Sequence, residues 1–274
     1  MEYPILRDMR NIFVFFILSL SLLLVSFQPI PGKKFKVTKI VIDAGHGGKD
    51  PGTMGAYTKE KDVALKVALL AGEYIEKNVP DIEVIYTRKD DSSIPTRDRP
   101  GIANKHEADL FISIHANSLP RETPDSRKNR IKGAEVYVMG AQNTERALEV
   151  AKRENSVILL EEDYEKYYDF DPKSEESYIL FSLTQSAYQE NSLLLASKID
   201  HQMTKRAGRK SYGVKQSSLY VLWNTAMPSV LVEIGYLSNP QEEKELNDPD
   251  VQAYIASGIY RAVKEYKEAF ESQN

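Results

Sequence analysis

The sequence predicts an α/β fold: one main domain built on a central, mostly parallel (mixed) sheet with helices on both faces. Short runs rich in β-branched residues alternate with longer segments of helical periodicity. Two of these runs, 41–42 and 230–232, are continuously apolar, as expected for strands buried on both faces. The chain of 274 residues is long enough for one large domain after an N-terminal segment is set aside.

That N-terminal segment, residues 1–34, is predicted to be a signal peptide or a membrane anchor. Arg7 and Arg10 precede an apolar run over 12–27, and a polar stretch with Pro and Gly follows. The run is shorter than the roughly 20 residues of a typical membrane span. No small-x-small cleavage pattern follows it, so an uncleaved anchor stays open beside a cleaved signal. Both alternatives predict export to the periplasm or cell envelope, with membrane contact only through this segment if it is uncleaved.

The first half of the domain, which we place at 35–274, alternates strands and helices. Residues 35–44 (FKVTKIVIDA) predict a strand that ends in the Gly-rich turn GHGG. A helix is predicted over 59–77, where apolar residues recur at helical spacing. Two further strands, 82–87 and 109–115, are separated by a short helix over 96–106.

The second half continues this alternation around a long insertion. Residues 134–139 (AEVYVM) predict a fourth strand, and 229–234 (SVLVEI) a late one, after a short strand near 220–223. The insertion over 143–203 holds no clear strand and is dense in charge. We expect it to begin helical, to continue as a loop and to end in a long helix over 182–206. An amphipathic helix over 251–270 closes the domain.

Composition restricts the chemistry that this chain can perform. The formal net charge of −4 gives no basic footprint, which argues against a nucleic-acid partner. Without cysteine there are no disulfides, no thiolate ligands and no thiol nucleophiles. Any metal must therefore be held by carboxylates and by some of the four histidines, which are His46, His106, His115 and His201.

His46, Glu60 and His115 form a candidate zinc site. His46 follows the first predicted strand and His115 ends the third, so both are expected at the edge of the sheet where parallel strands end. Each residue alone has a simpler explanation: a surface histidine, a core histidine, and a carboxylate that favours the helix dipole. Together, two imidazoles and one carboxylate leave a fourth position open, as in catalytic zinc sites. We therefore predict one Zn²⁺ per chain, although another first-row divalent ion stays open.

Glu233 is the candidate catalytic base. It interrupts the apolar strand SVLVEI, and a buried carboxylate is costly without a partner. One explanation is a salt bridge to Arg or Lys. The other is a carboxylate that faces a metal-activated water, with burial raising its pKa and the cation lowering it.

These residues lie in motifs that resemble the zinc-dependent N-acetylmuramoyl-L-alanine amidases of bacterial cell-wall turnover and cell division. The matching segments run in order from Lys39 to Tyr266: IVIDAGHGGKDPG, EKDVAL, YTRKDD, RPGIANKHEADLFISIHANS, KGAEVYV, YGVKQSSLYVL and MPSVLVEIGYLSN. The resemblance implies hydrolysis of the amide between N-acetylmuramic acid and L-alanine in peptidoglycan. A zinc peptidase acting on stem peptides, or a non-catalytic wall-binding protein on the same fold, stays open.

The resemblance also implies roles for particular residues. The metal ligands fall on His46, Glu60 and His115, and the catalytic glutamate falls on Glu233. Asp43, Arg99 and Asn117 lie in or beside the motifs and are expected to orient the ligands.

The insertion resembles that of the division-associated subgroup, in which an inserted helix covers the active site until a partner removes it. We accordingly expect Glu161, Glu162 or a neighbouring carboxylate to reach the open zinc position. An activator protein would then be a partner of this chain, in addition to its peptidoglycan substrate.

Overall fold

A six-stranded sheet forms the centre of the computed structural model, which describes residues 36–141, 144–182 and 187–273. The predicted signal or anchor segment lies outside these residues. The strands are Lys39–Ala44 (β1), Glu83–Tyr86 (β2), Leu110–Asn117 (β3), Ala134–Met139 (β4), Ser211–Ser217 (β5) and Ser229–Tyr236 (β6). Their order is β2-β1-β3-β6-β4-β5. Only β4 and β6 pair antiparallel within this sheet, which confirms the mostly parallel, mixed sheet expected from the sequence.

Helices cover both faces of the sheet. They are Glu60–Asn78 (α1), Asp98–Lys105 (α2), Asp125–Lys128 (α3), Glu145–Asn155 (α4), Tyr164–Tyr167 (α5), Glu175–Ser182 (α6), Gln189–Lys205 (α7), Tyr220–Trp223 (α8), Pro240–Leu246 (α9) and Pro249–Gln273 (α10). A 3₁₀ turn, Ser156–Leu160, follows α4 directly. Helices α1, α7 and α10 pack on one face, and α2, α4 and α8 on the other. Within the described ranges, no helix combines the length and apolar character needed to cross a bilayer.

The central strands carry the two cores on alternate residues. In β1, Ile40 and Ile42 face the core formed with α1 and α10, whereas Val41 faces the core formed with α2 and α4. Every residue of β3 and β6 is buried. This burial on both faces explains why the strand sequences are continuous apolar runs, and it makes any polar residue within them conspicuous.

Two local expectations were wrong or incomplete. The predicted strand near 220–223 is the one-turn helix α8. The strand β5 was not predicted, because most of its residues are only half-buried at the sheet edge and Gly213 interrupts it. Its sequence SYGVKQS therefore lacks the alternation that predicts a strand.

The insertion is more ordered than a solvated loop. Its first part is the predicted helix, α4, and its last is the long helix α7. The aromatic side chains of its middle part are buried in the core that also contains Tyr220 of α8, namely Tyr168, Phe170, Tyr178 and Phe181. Rings of Phe181 and Tyr220 stack at a centroid distance of 5.9 Å. The insertion thus forms part of the core on the face covered by α2, α4 and α8, which we call the second core.

Candidate metal centre

His46 lies in the turn directly after β1, at the carboxyl edge of the sheet. Its backbone has φ of 60°, a left-handed conformation that L-residues adopt rarely and often at functional sites. Nδ1 of His46 lies 2.6 Å from Oδ2 of Asp50. A carboxylate on one ring nitrogen orients the ring and leaves the other nitrogen, Nε2, to bind a metal. Asp50 was not singled out from the sequence.

Glu60 begins α1 and is fully buried. Backbone N–H groups donate to both of its oxygens: Thr53 to Oε2 at 2.8 Å and Ala116 to Oε1 at 2.9 Å. Oε1 lies 3.1 Å from Nε2 of His46 and 3.0 Å from Nδ1 of His115. The carboxylate is therefore held between the two imidazoles by one donor from a loop and one from β3.

Two glycines allow this close packing. A Cβ on Gly45 would lie 2.5 Å from the His115 ring. A Cβ on Gly52 would lie 2.6 Å from Cδ2 of His46 and 2.7 Å from Oε2 of Glu60, and φ at Gly52 is +64°. Both positions exclude any side chain, because nonbonded atoms cannot approach so closely.

A fourth ligand comes from α4. Oε2 of Glu154 lies 3.0 Å from Nδ1 of His115 and 3.4 Å from Nε2 of His46. Ligand atoms of His46, Glu60, His115 and Glu154 all lie within 4.8 Å of one another, and all four residues are buried. The structure thus brings together the three predicted ligands and adds a carboxylate from the insertion.

These residues fit a divalent metal ion. Nε2 of His46 and Oε2 of Glu154 are buried without a hydrogen-bond partner among the described residues. Such orphaned polar atoms are costly unless something binds them. Nitrogen and oxygen donors at the corners of a small polyhedron are the donor set that zinc prefers, and alkaline-earth ions prefer oxygen alone. The group can therefore bind a metal.

The electrostatics of the group also call for a cation. Burial lowers the pKa of His46, but Glu60, Asp50 and Glu154 raise it by more, so the pKa ends well above its ordinary value. Burial likewise lowers the pKa of His115, but Glu154 and Glu60 raise it by more, so that this pKa reaches about 9. The carboxylates therefore stabilise positive charge between them, which either two protons or a metal can supply.

Glu233 lies on β6 beside this group and is fully buried. Burial raises the pKa of Glu233 to about 8, Arg153 opposes this, and Glu154 and Glu60 add to it. Oε1 accepts a hydrogen bond from Nη2 of Arg153 at 2.8 Å, whereas Oε2 has no partner among the described residues. Both sequence-based explanations of Glu233 therefore apply. One oxygen, Oε1, binds an arginine, and the other, Oε2, has no partner among the described residues and lies beside the metal-binding group.

Asp43 and Arg99 shape the turn that carries His46. Arg99 donates from Nη1 to Oδ1 of Asp43 and from Nη2 to the backbone oxygen of His46, both at 2.7 Å. Thr87 and Ser113 donate to the two oxygens of Asp43 at 2.6 Å. These side chains act on the backbone of the turn and do not touch a ligand ring.

Asn117 ends β3 near Glu233. Its Nδ2 donates to Oε2 of Glu135 at 2.9 Å and to the hydroxyl of Tyr236 at 3.0 Å. Its Oδ1 accepts from Nη1 of Arg153 at 2.7 Å. Asn117 thus contacts residues of β4 and β6 and, through Arg153, the end of α4.

Glu161 and Glu162 occupy other positions than the sequence suggested. Glu161 accepts hydrogen bonds from the backbone N–H of Thr96 at 2.7 Å and from the hydroxyl of Tyr168 at 2.5 Å. Glu162 is exposed on the wall of a cavity beside the site. The carboxylate at the histidines is that of Glu154, because α4 ends there and the 3₁₀ turn carries the chain away.

Two cavities flank the end of α4. One, of about 420 Å³, lies on the side of His46 and is lined by Lys49, Ile94 and Arg97 among others. The other, of about 410 Å³, lies on the opposite side and is lined by Thr53, Asn117, Ser118, Arg121 and Arg146 among others. The end of α4 thus lines both cavities, with Glu154 on the first and Arg153 on the second.

Buried imidazoles and carboxylates able to hold a metal, with a further buried carboxylate beside them at the strand ends of an α/β sheet, are the arrangement of metal-dependent hydrolases. The family model of the N-acetylmuramoyl-L-alanine amidases matches residues 40–265. The chain belongs to this family, whose reaction is hydrolysis of the amide between N-acetylmuramic acid and L-alanine in peptidoglycan.

Relatives and solved structures agree with this assignment. The N-acetylmuramoyl-L-alanine amidase AmiA of Escherichia coli K12 is 33% identical over 85% of this chain and 78% of its own length. AmiC of Escherichia coli O6:H1 is 32% identical over 87% of this chain, which spans only 55% of AmiC. The catalytic domain of the amidase CwlV from Paenibacillus polymyxa has a similar structure, with a TM-score of 0.61, 28% identity, and coverage of 84% of this chain and 98% of that domain.

Proposed function

We propose that this chain cleaves the muramoyl–L-alanine amide with Zn²⁺ held by His46, Glu60 and His115. The observation that supports this most is the meeting of their ligand atoms beside the buried Glu233. When bound, the zinc ion supplies a Lewis acid that polarises a carbonyl group and lowers the pKa of a water. Two imidazoles and one carboxylate from the body of the domain leave room for substrate once Glu154 withdraws.

Glu233 is the proton-transfer group in this proposal. Its Oε2 is free to accept a proton from the attacking water, and burial favours the protonated form that the next step needs. Glu233 then returns that proton to the nitrogen of the leaving L-alanine. A cation at the neighbouring ligands would lower the pKa of Glu233 and so favour the ionised form that begins the reaction as a base.

Replacing Glu233 tests this assignment. Glu233→Gln keeps the shape of the side chain but cannot take a proton, so turnover should fall by about 10²-fold or more while zinc remains bound. Mass spectrometry of digested peptidoglycan measures turnover, with stem peptides bearing a free L-alanine released from intact glycan strands. Zinc content is measured on the same samples. Shortened stems from the wild type would instead indicate a peptidase, and an active Glu233→Gln would remove this residue from the mechanism.

The histidines provide a matched comparison for the metal site. His46→Ala and His115→Ala should lose both zinc and activity, because each removes a ligand. His106→Ala and His201→Ala should lose neither, since both side chains are exposed on the surface. Zinc retention in either of the first two variants would contradict the assigned ligand set.

We further propose that this structure represents a closed state, in which α4 blocks the site. Glu154 takes the position beside the two histidines, and Arg153 binds the catalytic Glu233. Asn155 anchors the end of this helix, because Nδ2 donates to the Ser218 oxygen at 2.8 Å and Oδ1 accepts from the Tyr220 N–H at 2.9 Å. Substrate can reach the metal only when these side chains move.

Shortening both blocking side chains should open the site. Arg153→Ala with Glu154→Ala should raise the basal rate by at least about tenfold, because charge-assisted hydrogen bonds that close the site are lost. Glu145→Gln is the control, since Glu145 is exposed at the start of the same helix and lines neither cavity. An unchanged rate in a folded, zinc-loaded double variant would contradict the closed state. Deleting 156–177 instead would remove the buried Ile158, Tyr168 and Phe170, and so damage the core.

From the closed state we propose a protein partner that displaces α4. We also propose export to the cell envelope, because the substrate peptidoglycan lies there. Leu160, Tyr167 and Leu180 of the insertion are each more than half exposed, at 54%, 55% and 69%, and offer an apolar contact surface. Such an activator should raise the rate of the wild type and add little to the open double variant. An equal increase for both would place its action elsewhere.

A further inference from the structure

Arg153 shows where the closed site offers hydrogen-bond acceptors. Its Nη2 donates to Oε1 of Glu233 at 2.8 Å. Its Nη1 donates to Oδ1 of Asn117 at 2.7 Å and to the backbone oxygen of Ser118 at 3.1 Å. Guanidinium nitrogens are donors only, so all three atoms act as acceptors in this state. Opening the site would leave these three acceptors to the substrate.

The acceptor atom of Asn117 is fixed by the protein and not by Arg153. Its Nδ2 faces the carboxylate of Glu135, which can only accept, and the hydroxyl of Tyr236. The Ser118 N–H donates to Oδ1 at 2.8 Å on the other side of the same amide. Asn117 is 1% exposed. Its oxygen therefore stays directed at the site when Arg153 leaves.

Glu135 in turn has partners that hold its carboxyl group in place. It is fully buried on β4, directly opposite Glu233 of β6 in the antiparallel register. Lys215 forms an ion pair with it from β5, and Tyr137 donates to it at 2.7 Å. Lys215 and Tyr137 belong to the sheet, so they remain when α4 moves, whereas Arg146, which also pairs with Glu135, lies on α4. Glu135 thus holds the amide of Asn117 in one orientation.

Resting on the proposed amidase reaction, we propose that Asn117 Oδ1 and the Ser118 oxygen bind the first peptide N–H beyond the scissile amide. In the closed state Nη2 of Arg153 lies at Glu233, where the scissile nitrogen must lie to receive its proton. Nη1 is bonded to the same carbon as Nη2 and lies at the acceptor pair. In a peptide, the next N–H also lies a short distance from the scissile nitrogen. Arg153 thus occupies the positions of two successive stem-peptide nitrogens.

The neighbouring cavity gives the rest of the stem peptide a path. The cavity of about 410 Å³ begins at Asn117 and Ser118 and continues between Thr53, Arg121 and Arg146. Three arginines line this cavity, namely Arg121, Arg146 and Arg153. Of these, the exposed Arg121 suits a carboxylate of a stem peptide, since Arg146 already pairs with Glu135. This assignment places the sugar on the opposite side of the metal group, towards the cavity of about 420 Å³ beside His46.

A substrate pair that differs in one atom tests the acceptor pair. The ligands are an N-acetylmuramoyl dipeptide and its depsipeptide analogue, in which an ester oxygen replaces the N–H of the second peptide bond. The protein is the Arg153→Ala, Glu154→Ala variant loaded with zinc, with Asn117 intact or changed to Ala. Both kcat/KM and the dissociation constant are measured, the latter by calorimetry.

With Asn117 intact, the ester analogue should bind about tenfold more weakly and have a kcat/KM about tenfold lower. The reason is that its ester oxygen, which is an acceptor, would face the acceptor oxygens of Asn117 and Ser118. With Asn117→Ala, the amide ligand should lose affinity and the difference between the two ligands should shrink to about threefold or less. Tyr236→Phe is the control, since it removes a partner of Nδ2 and leaves Oδ1 in place. It should keep the tenfold difference, whereas a merely structural role of Asn117 would weaken both ligands equally.

An equal ester penalty with Asn117 intact and with Asn117→Ala would overturn the acceptor pair, even if hydrolysis proceeds. Failure of the proposed reaction would give a result different from failure of the acceptor pair. If neither ligand is hydrolysed but the dissociation constants still show the Asn117-dependent difference, the acceptor pair stands and the proposed reaction fails.

Discussion

At the scale of single residues, Gly52 shows how closely the backbone approaches the metal ligands. Because a Cβ there would lie 2.6 Å from the His46 ring and 2.7 Å from Glu60, Gly52→Ala must displace one of the two ligands. The positive φ of +64° adds strain. We expect zinc affinity to fall by about tenfold or more, since small displacements spoil coordination geometry. Titration against a competing chelator measures this change.

The matched control is Gly101→Ala on α2, where nothing lies within 4 Å of the added Cβ. Alanine also favours the helix over glycine there, so Gly101→Ala should keep zinc affinity and slightly raise stability. If both variants bound zinc like the wild type, the close approach at Gly52 would not matter for the site.

Asp43 makes a pH-dependent contribution to stability. Burial raises the pKa of Asp43, but Arg99 and the hydroxyls of Ser113 and Thr87 lower it by more, so it ends below its ordinary value of 3.8. The folded state then keeps the charge at pH values where the unfolded chain takes up a proton. The stabilisation is present above about pH 4 and is lost as the pH falls through the folded-state pKa.

Asp43→Asn should therefore lower the free energy of unfolding by roughly 1–3 kcal/mol at pH 7, because a buried charge-assisted network loses a partner. The difference from the wild type should narrow below about pH 4. Urea unfolding at several pH values measures both effects. Asp169→Asn, at an exposed position, should show neither. A constant difference at all pH values would contradict an ionised Asp43.

At the scale of elements, the strand ends could be predicted and the inserted helix only in part. His46, His115 and Glu233 each interrupt or end an apolar run, and the rule that ligands gather at the carboxyl ends of strands brings them together. The position of Glu60 also follows, because α1 starts where the sequence indicates. The sheet could thus be predicted from periodicity, except for its exposed edge strand β5.

Charge density alone could not indicate which acidic residue of the insertion lies beside His46 and His115. The insertion holds several acidic residues, and the choice depends on which side of α4 faces the sheet. A usable signal was present: Ala147, Val150 and Ala151 define the buried side of α4, and Glu154 follows Val150 and Ala151 by four and three residues. A carboxylate on the apolar side of an amphipathic helix needs a partner beneath it.

The same helix explains why removing its charges need not unfold the insertion. Ala147, Val150 and Ala151 pack in the second core, and the Ser217 hydroxyl donates to the Ala147 oxygen at 2.6 Å. Arg153 is the more accessible of the two blocking side chains, with 26% of it exposed. Apolar packing can therefore keep α4 folded on the domain when its two charges are removed, and a partner that displaces α4 would have to separate this packing.

At the scale of the whole molecule, the metal would join segments that are far apart in sequence. His46, Glu60, His115 and Glu154 come from a turn, two helices and a strand, and their ligand atoms converge within 4.8 Å. An ion that binds the folded chain and not the unfolded one stabilises the fold by mass action. The carboxylates and imidazoles also stop competing for protons once a metal lies between them.

Zinc should accordingly raise the free energy of unfolding by about 2.7 kcal/mol at a free concentration one hundred times its dissociation constant. Excess chelator should reverse the rise. Thermal or urea unfolding at fixed protein concentration measures the change, with His46→Ala as a variant that should not respond and His106→Ala as one that should. Magnesium at the same concentration should have little effect, because imidazole suits it poorly. If His46→Ala responded to zinc as strongly as the wild type, the stabilising ion would lie outside the group formed by the four residues, and the account of the site as a metal centre would have to be abandoned.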